Sequence, residues 1–221
     1  MKIALLGTGK TGMKVADIHG DVELFNTRNP ATLDSLKNCD VVVSFLPGEA
    51  FLDHIDLLVE SGLPVVTGST GMEWPKNIEQ RLKENNASWI KAHNFSLGMN
   101  VVREMIKTMS KLSDLFDDGT FTIHDIHHVH KKDAPSGTAI SWKEWLGKDA
   151  EITAQREGDV VGYHHLEFDC ADEKIKLVHE AKDRTIFARG AVWAAKILHE
   201  DHNLSKGLLD FNEVVKNYLK L

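Results

Sequence analysis

The sequence predicts an α/β protein of two parts. One is a doubly wound, mainly parallel sheet, and the other is a smaller α+β part with a mixed or antiparallel open sheet. Three observations carry this. As far as Phe95, short apolar runs alternate with amphipathic stretches, the rhythm of βαβ units. Within that region Asp40–Leu46 is β-branched and almost wholly apolar, as a parallel strand covered on both faces should be. Beyond Phe95 the rhythm changes, and longer strands follow one another with fewer helices between them.

Lys2–Leu6 is a short apolar strand that runs straight into a glycine-rich turn. Met13–Ile18 is a brief helix, and Val22–Phe25 a second strand ended by Asn26-Thr27-Arg28-Asn29-Pro30. Pro47-Gly48 breaks the third strand. Phe51–Ser61 is amphipathic, with Phe51, Ile55, Leu58 and Val59 on one side and Gly62 as its C-cap. Pro64–Thr67 is a strand, Asn77–Asn85 a polar helix and Ser88–Ala92 a further strand. In Val101–Phe116 the spacing of Val102, Met105, Ile106, Met109, Leu112 and Phe116 predicts one long helix. Thr120–His130, Val161–Ala171 and Lys174–Ala181 read as strands, the last two as a hairpin, with a helix at Gly137–Leu146 between the first and second. A helix at Thr185–His199 and the tail Leu204–Leu221 close the chain. Residues 1–95 with 186–221 are expected to form one domain and residues 96–185 the other.

The composition is that of a globular protein: 221 residues, 42% hydrophobic and 27% charged, which excludes disorder, collagen and coiled coil. Apolar stretches such as Val41-Val42-Val43 fall far short of the roughly 18 residues of a spanning helix. The opening apolar run stops at Gly7, short of the about 7–15 residues of a secretory core, so a soluble cytoplasmic protein is expected. With 26 Lys and Arg against 33 Asp and Glu, the net charge of -7 opposes a polyanion, and no nucleic-acid or membrane partner is expected. Cys39 and Cys170 form no CxxC pair, which suits packing residues in a reducing compartment.

Gly7-Thr8-Gly9-Lys10-Thr11-Gly12 fits G-x-G-x-x-G between a predicted strand and a predicted helix, the context in which that motif cradles a pyrophosphate on a helix N-terminus. It makes the first part a Rossmann-like dinucleotide-binding domain. A tight βα turn that binds nothing is the alternative. No Asp or Glu ends the second strand to hold ribose hydroxyls. Arg28 stands there instead, which favours NADPH slightly over NADH, unless Arg28 is only a solvated loop residue. Gly68-Ser69-Thr70-Gly71 follows another strand, where open α/β sheets bind ligands; a simple polar turn is the competing reading.

The richest segment runs from His124 to Ala139. Strand alternation places His128 and His130 on one face and His127 on the other. An H-x-H pair can ligate a metal, but the Lys131 ammonium competes and no third ligand stands nearby in the sequence, so no metal is expected. Half-exposed, satisfied side chains are the plainer reading of His124 and His130. Ser136 is a natural N-cap, leaving the Gly137 and Thr138 N–H groups free for a carboxylate. An imidazole proton donor, an ammonium and a carboxylate-binding helix end imply a small anionic substrate.

His127-His128-Val129-His130-Lys131-Lys132-Asp133-Ala134-Pro135-Ser136-Gly137-Thr138-Ala139 closely resembles the signature H-H-x-x-K-x-D-A-P-S-G-T-A of the dihydrodipicolinate reductases, also called 4-hydroxy-tetrahydrodipicolinate reductases, at every specified position. Ala92-His93-Asn94-Phe95-Ser96-Leu97-Gly98-Met99-Asn100 is similar to that family's A-x-N-F-S-x-G-x-N segment, and Gly68–Gly71 to its G-T-T-G turn. Gly158–Gly162 and Phe187–Val192 resemble later blocks, so the likeness runs along nearly the whole chain.

The resemblance implies an oxidoreductase of lysine and diaminopimelate biosynthesis that reduces a cyclic unsaturated dicarboxylate to tetrahydrodipicolinate with NADPH or NADH. It implies His127 as proton donor, His128 as a substrate contact, and Lys131 as partner acid and carboxylate ligand. Ser136, Gly137 and Thr138 would receive a substrate carboxylate. The cofactor positions it implies are Gly7, Thr8, Gly9, Lys10, Thr11, Gly12, Arg28, Gly68, Ser69, Thr70, Ala92, His93, Asn94 and Phe95. It also implies a homotetramer joined through the substrate-domain sheets. The chain is shorter than many members, chiefly between the first and third strands, and lacks the second-strand acid. Two other readings remain: another NAD(P)-dependent dehydrogenase of the same two-domain layout, and a non-catalytic NADP-sensing protein.

Overall fold

The computed structural model describes every residue except His202 and Leu221, so the last residue of the expected tail lies outside the described residues. The strands are β1 (Ile3–Leu6), β2 (Val22–Phe25), β3 (Val41–Ser44), β4 (Val65–Thr67), β5 (Ser88–Lys91), β6 (Thr120–His127), β7 (Glu151–Arg156), β8 (Gly162–Asp169), β9 (Lys174–Ala181) and β10 (Gly207–Asp210). The helices are α1 (Lys10–His19), α2 (Leu33–Leu36), α3 (Gly48–Leu52), α4 (Ile55–Ser61), α5 (Ile78–Glu84), α6 (Leu97–Met109), α7 (Gly137–Leu146), α8 (Thr185–Glu200) and α9 (Phe211–Leu219). Two compact units result: Met1–Leu97 with the chain from Arg184 onward, and Gly98–Asp183. Among the described residues no helix is long and apolar enough to cross a membrane.

In the first unit the strands lie in the order β10-β5-β4-β3-β1-β2, and every pairing is parallel. The apolar runs of β1 and β3 are buried on both faces because each face has its own helical layer. Ile3, Leu5, Val41 and Val43 pack with Val15 of α1, Ala191 and Ala195 of α8 and Phe211 of α9. Ala4, Leu6 and Val42 point the other way, against Leu36, Phe51, Leu58 and Leu82 of α2 to α5. Cys39 is buried in that second layer, as a packing residue.

The second unit is built on a four-stranded sheet ordered β7-β6-β8-β9, parallel between β6 and β7 and antiparallel elsewhere, hence mixed. Phe121 and Ile123 of β6 and Leu166 and Phe168 of β8 face Val102 and Ile106 of α6 and Trp142 of α7. The opposite face carries His124, Tyr163, His165 and Glu167, which line a surface cavity of about 610 Å³.

Several elements differ from expectation. The helix expected over 51–61 is two helices, α3 and α4. At the junction, His54 Nδ1 lies 2.7 Å from the Ala50 carbonyl oxygen, and this side-chain bond competes with the helical ladder. The helix expected over 101–116 starts earlier, at Leu97, and tightens into a 3₁₀ turn at Ser110–Asp114, where the Ser110 and Ser113 hydroxyls bond back to Lys107 and Ser110 carbonyls at 2.8 and 3.0 Å. The strand expected over 120–130 ends at His127, so His128 and His130 do not alternate across a strand; they sit in the turn that follows. The short edge strands β7 and β10 have no alternating run that separates them from loop; each forms because a neighbouring strand offers a free edge.

Gly190 of α8 is packed so closely on the end of the β5 loop that a Cβ would run into the Phe95 carbonyl oxygen. Gly190→Ala should therefore lower stability by about 1–3 kcal/mol, read as a shifted urea midpoint at constant slope in tryptophan fluorescence.

Candidate active site

Because all six strands of the first unit are parallel, the loops after them emerge along one edge. The order in which the chain lays down its strands reverses between β1 and β3, β2 lying to one side and β4 and β5 to the other, so this edge has a crevice at that point. Gly7 lies there, held at φ +96°, and a Cβ on it would stand 3.0 Å from the Phe45 carbonyl carbon at the end of β3. A Cβ on Gly12 would run into the Gly7 carbonyl oxygen, whereas Gly9 opens to solvent with nothing within 4 Å. Gly9 is the N-cap of α1 and supplies no side-chain bond, so the first amides of that helix stay free for an anion. Thr8 and Lys10 are exposed and Thr11 half-buried. The turn is thus a cradle that fits a dinucleotide pyrophosphate.

Other expected cofactor positions lie on the same edge. Arg28 is exposed in the turn after β2, its amide bonded to Asn26 Oδ1 at 2.9 Å. After β4 the Gly68 amide bonds the Ser44 carbonyl at 2.9 Å, Ser69 is buried, and the Thr70 carbonyl accepts the Gly48 amide at 3.1 Å. After β5 the Ala92 amide bonds the Thr67 carbonyl at 3.1 Å, His93 is exposed, and Asn94 Oδ1 accepts the Ser96 amide at 2.8 Å. Phe95 does not face solvent: it is a core residue, 2% exposed, with its ring 4.7 Å from Phe211 and 6.0 Å from Phe45. Its contribution to the crevice is the shape of the loop.

In the second unit the buried face of β6 changes from apolar to polar toward its end, from Phe121 and Ile123 to Asp125 and His127. Asp125 is wholly buried. Its Oδ2 accepts the Ser136 amide at 2.9 Å and its Oδ1 the Ser136 hydroxyl at 2.7 Å. Ser136 in turn caps α7, its Oγ accepting the Ala139 amide at 3.2 Å, which leaves the Gly137 and Thr138 amides at the open end of the helix. His127 Nδ1 lies 2.9 Å from Asp125 Oδ1 without the alignment of a hydrogen bond. Its Nε2 faces Gly162, where a Cβ would stand 3.1 Å away. His164 Nε2 lies 3.4 Å from the same carboxylate oxygen, and Arg156 Nη1 lies 3.4 Å from Oδ2. Arg156 also donates to the Asp133 carbonyl, fixing the loop between β6 and α7.

Lys131 sits in that loop, one-fifth exposed at its side chain, and pairs with Asp133 at 2.8 Å. It is close enough to depress the basicity of His127. His128 is half-buried; its amide bonds the Val160 carbonyl at 2.7 Å while Nδ1 is buried without a partner. The imidazole, the ammonium and the helix start named from the sequence therefore stand in one neighbourhood.

The electrostatics correct one expectation. A histidine that gives its proton near neutral pH was anticipated at 127, but burial pushes His127 down to about 4, against the opposing pull of Asp125. The free protein holds this imidazole neutral. Asp125 is driven well below the usual carboxylate range: burial works against it, and the His164 and Ser136 bonds more than compensate.

The family profile described as dihydrodipicolinate reductase, N-terminus, matches residues 9–95, and that described as dihydrodipicolinate reductase, C-terminus, matches residues 98–215. The chain belongs to the dihydrodipicolinate reductase family. It is 32% identical to the 4-hydroxy-tetrahydrodipicolinate reductase of Christiangramia forsetii over the full length of both chains. It is 36% identical to that of Xanthomonas euvesicatoria pv. vesicatoria, over 72% of this chain and 67% of the relative. Among solved structures it is similar to the dipicolinate-bound dihydrodipicolinate reductase of Paenisporosarcina sp. TG-14, with a TM-score of 0.74 at 20% identity, covering 97% of this chain and 99% of that one. An aspartate dehydrogenase from Thermotoga maritima shares the fold at a TM-score of 0.52 and 12% identity, over 91% and 97% of the two chains.

In this dihydrodipicolinate reductase chain, Asp125, Arg156 and His164 were not singled out from the sequence. Strand period alone places Asp125 on the face of His127. His164 needed the antiparallel register that sets it opposite Asp125, and Arg156 needed the parallel strand β7. Among the described residues the fold gathers two sets of metal-type ligands, and neither includes the His128–His130 pair weighed from the sequence. His124, His165 and Glu167 gather on one face, and Asp125, His127 and His164 on the other. In each set the carboxylate is already engaged, Glu167 by Lys174 and Lys176 at 2.8 and 3.0 Å and Asp125 by Ser136. His130 is exposed and His128 half-buried.

A histidine kept neutral by burial costs stability in acid. Its folded value of about 4 lies below the ordinary ~6.5, so the unfolded chain binds the proton first and stability falls as pH drops through that window. His165 and His179 are lowered by burial and act with the same sign. Urea midpoints of the wild type should therefore decline from about pH 7 to 4. His127→Gln should remove on the order of 2–3 kcal/mol of that decline, and an unchanged slope would contradict the burial of a neutral ring.

Proposed function

We propose that this chain reduces 4-hydroxy-tetrahydrodipicolinate, or its dehydrated form dihydrodipicolinate, to tetrahydrodipicolinate with NAD(P)H, the reductive step of lysine and diaminopimelate biosynthesis. The observation that carries this is the gathering of His127, Lys131 and the open amide end of α7 in one place. A dianionic ring needs that set: cationic and N–H partners for its carboxylates, and a proton source beside a carbon.

A reduced dinucleotide held by the Gly7–Gly12 cradle would supply a hydride for an unsaturated carbon of the dehydrated ring, the hydroxylated form having first lost its hydroxyl as water. His127 Nε2 gives the proton to the adjoining carbon. Lys131 exchanges Asp133 for one substrate carboxylate, and the Gly137 and Thr138 amides, with Ser136 behind them, take the other. His128 adds a ring contact to the substrate. Two arriving carboxylates bring negative charge next to His127 and raise its affinity for the proton it must donate. The acid group read from kcat should thus titrate at a higher pH than the one read from kcat/KM, since the first reports the complex and the second the free protein.

The cradle Gly7–Gly12, with Arg28, Gly68, Ser69, Thr70 and the Ala92–Phe95 loop, is the reading for the dinucleotide. The guanidinium after β2, with no acid beside it, favours a 2′-phosphate and hence NADPH. Arg28→Ala should raise KM for NADPH while leaving that for NADH nearly unchanged. The open face of the second unit's sheet, with Tyr163 half-buried and Val178 about half exposed at 47%, suits a homotetramer joined there, and gel filtration tests it. A cytoplasmic location follows from the chemistry of a biosynthetic reductase.

The deciding experiment generates the unstable substrate in situ and follows loss of reduced-nicotinamide absorbance. Tight cofactor binding with no turnover would make the chain a sensor, and turnover only with other carboxylates would make it a different dehydrogenase. His127→Ala should lower kcat by roughly two to four powers of ten, and Lys131→Ala should lower kcat and raise the substrate KM.

A further inference from the structure

We infer that Asp125 is a positioning residue of the reductase: one buried carboxylate that holds the proton-donating imidazole and the carboxylate-binding helix start in register. The inference rests on the reading of His127 as proton donor.

The geometry is specific. Asp125 exposes no surface, so solvent satisfies none of its lone pairs, and every partner is a protein group. Two donors come from Ser136, its amide at 2.9 Å and its hydroxyl at 2.7 Å, so the carboxylate fixes the residue that caps α7. The same Oδ1 stands 2.9 Å from His127 Nδ1, leaving Nε2 as the ring atom that can meet a substrate. His127 and the α7 start lie on different elements, and Asp125 is the anion in contact with both; His164, with Nε2 3.3 Å from Ser136 Oγ and its ring 5.1 Å from that of His127, packs against the same pair.

A carboxylate that served only as a cap would not need its charge. Here the charge has a second role. The groups acting on His127 from the surrounding elements are His164 on β8, Arg156 on β7 and Lys131 in the loop after β6, and all of them disfavour an imidazolium. His179 on β9 lies next to His164, with ring centroids 6.3 Å apart and the rings tilted. Asp125 is the opposing anion. It makes a protonated His127 attainable, from 2.9 Å away at Nδ1.

The test is the kcat pH profile of three purified variants with NADPH and in-situ substrate. Asp125→Asn keeps the shape and removes the charge. It should lower kcat roughly ten- to a thousand-fold and move the descending limb to lower pH, with the Kd for NADPH unchanged. Ser136→Ala should raise the substrate KM and leave the limb in place. Arg156→Gln removes a cation facing the same pair and should move the limb to higher pH, which supplies the sign test if Asp125→Asn does not fold. A folded Asp125→Asn with an unmoved limb, or an Arg156→Gln limb that stays or moves down, overturns the inference. A wild type without turnover would instead overturn the reading on which it rests.

Discussion

A carboxylate removed from water is tolerated only where donors and cations surround it, and the second unit is organised by how it meets that demand at Asp125. Ser136 turns its amide and hydroxyl toward it, His164 and Arg156 approach from adjacent strands, and His127 leans its Nδ1 on the same oxygen. Removing any one partner leaves charge or a polar atom stranded beside a carboxylate with no exposed surface. The start of α7 is therefore tied to one desolvated charge, and the His127 ring sits against the same carboxylate. The apolar end of the same strand, Phe121 and Ile123 on Trp142, holds that charge away from solvent.

The first unit meets a different constraint. A parallel sheet covered on both faces must return its chain through helices, so every strand delivers its following loop to one edge. Close packing then restricts what those loops can contain. Gly7 must accept a positive φ beside Phe45, and Gly12 must pass the Gly7 carbonyl. The absence of side chains at these points is what leaves the backbone amides of the turn uncovered. Phe95 shows the converse: a residue in a ligand-side motif that acts by anchoring its loop on Phe211.

Much of this was legible in the residues. The β1, β3, β4 and β5 runs, α7 from its Ser136 cap to Gly147, the β9 strand and α8 were all visible from composition, period and capping. Where a local signal was weak the reading failed. Glu151–Arg156 has no alternating apolar pattern, and it became a strand only because β6 presented an open edge. The α3–α4 break depends on one ring nitrogen finding one carbonyl. Within the candidate site, His127, Lys131 and Ser136 stood out by type and spacing. Asp125, Arg156 and His164 did not, since each matters through a partner far away in sequence.

The sequence by itself determined which residues are chemically able to cradle a phosphate, give a proton and bind a carboxylate, because these capacities reside in side-chain type, glycine placement and local capping. Only the tertiary structure decided the state of those groups. Burial made His127 neutral and drove Asp125 the other way, and strand register placed His164 and Arg156 on the same carboxylate. Desolvation and cross-strand distance are properties of the packed whole, which no stretch of chain carries alone.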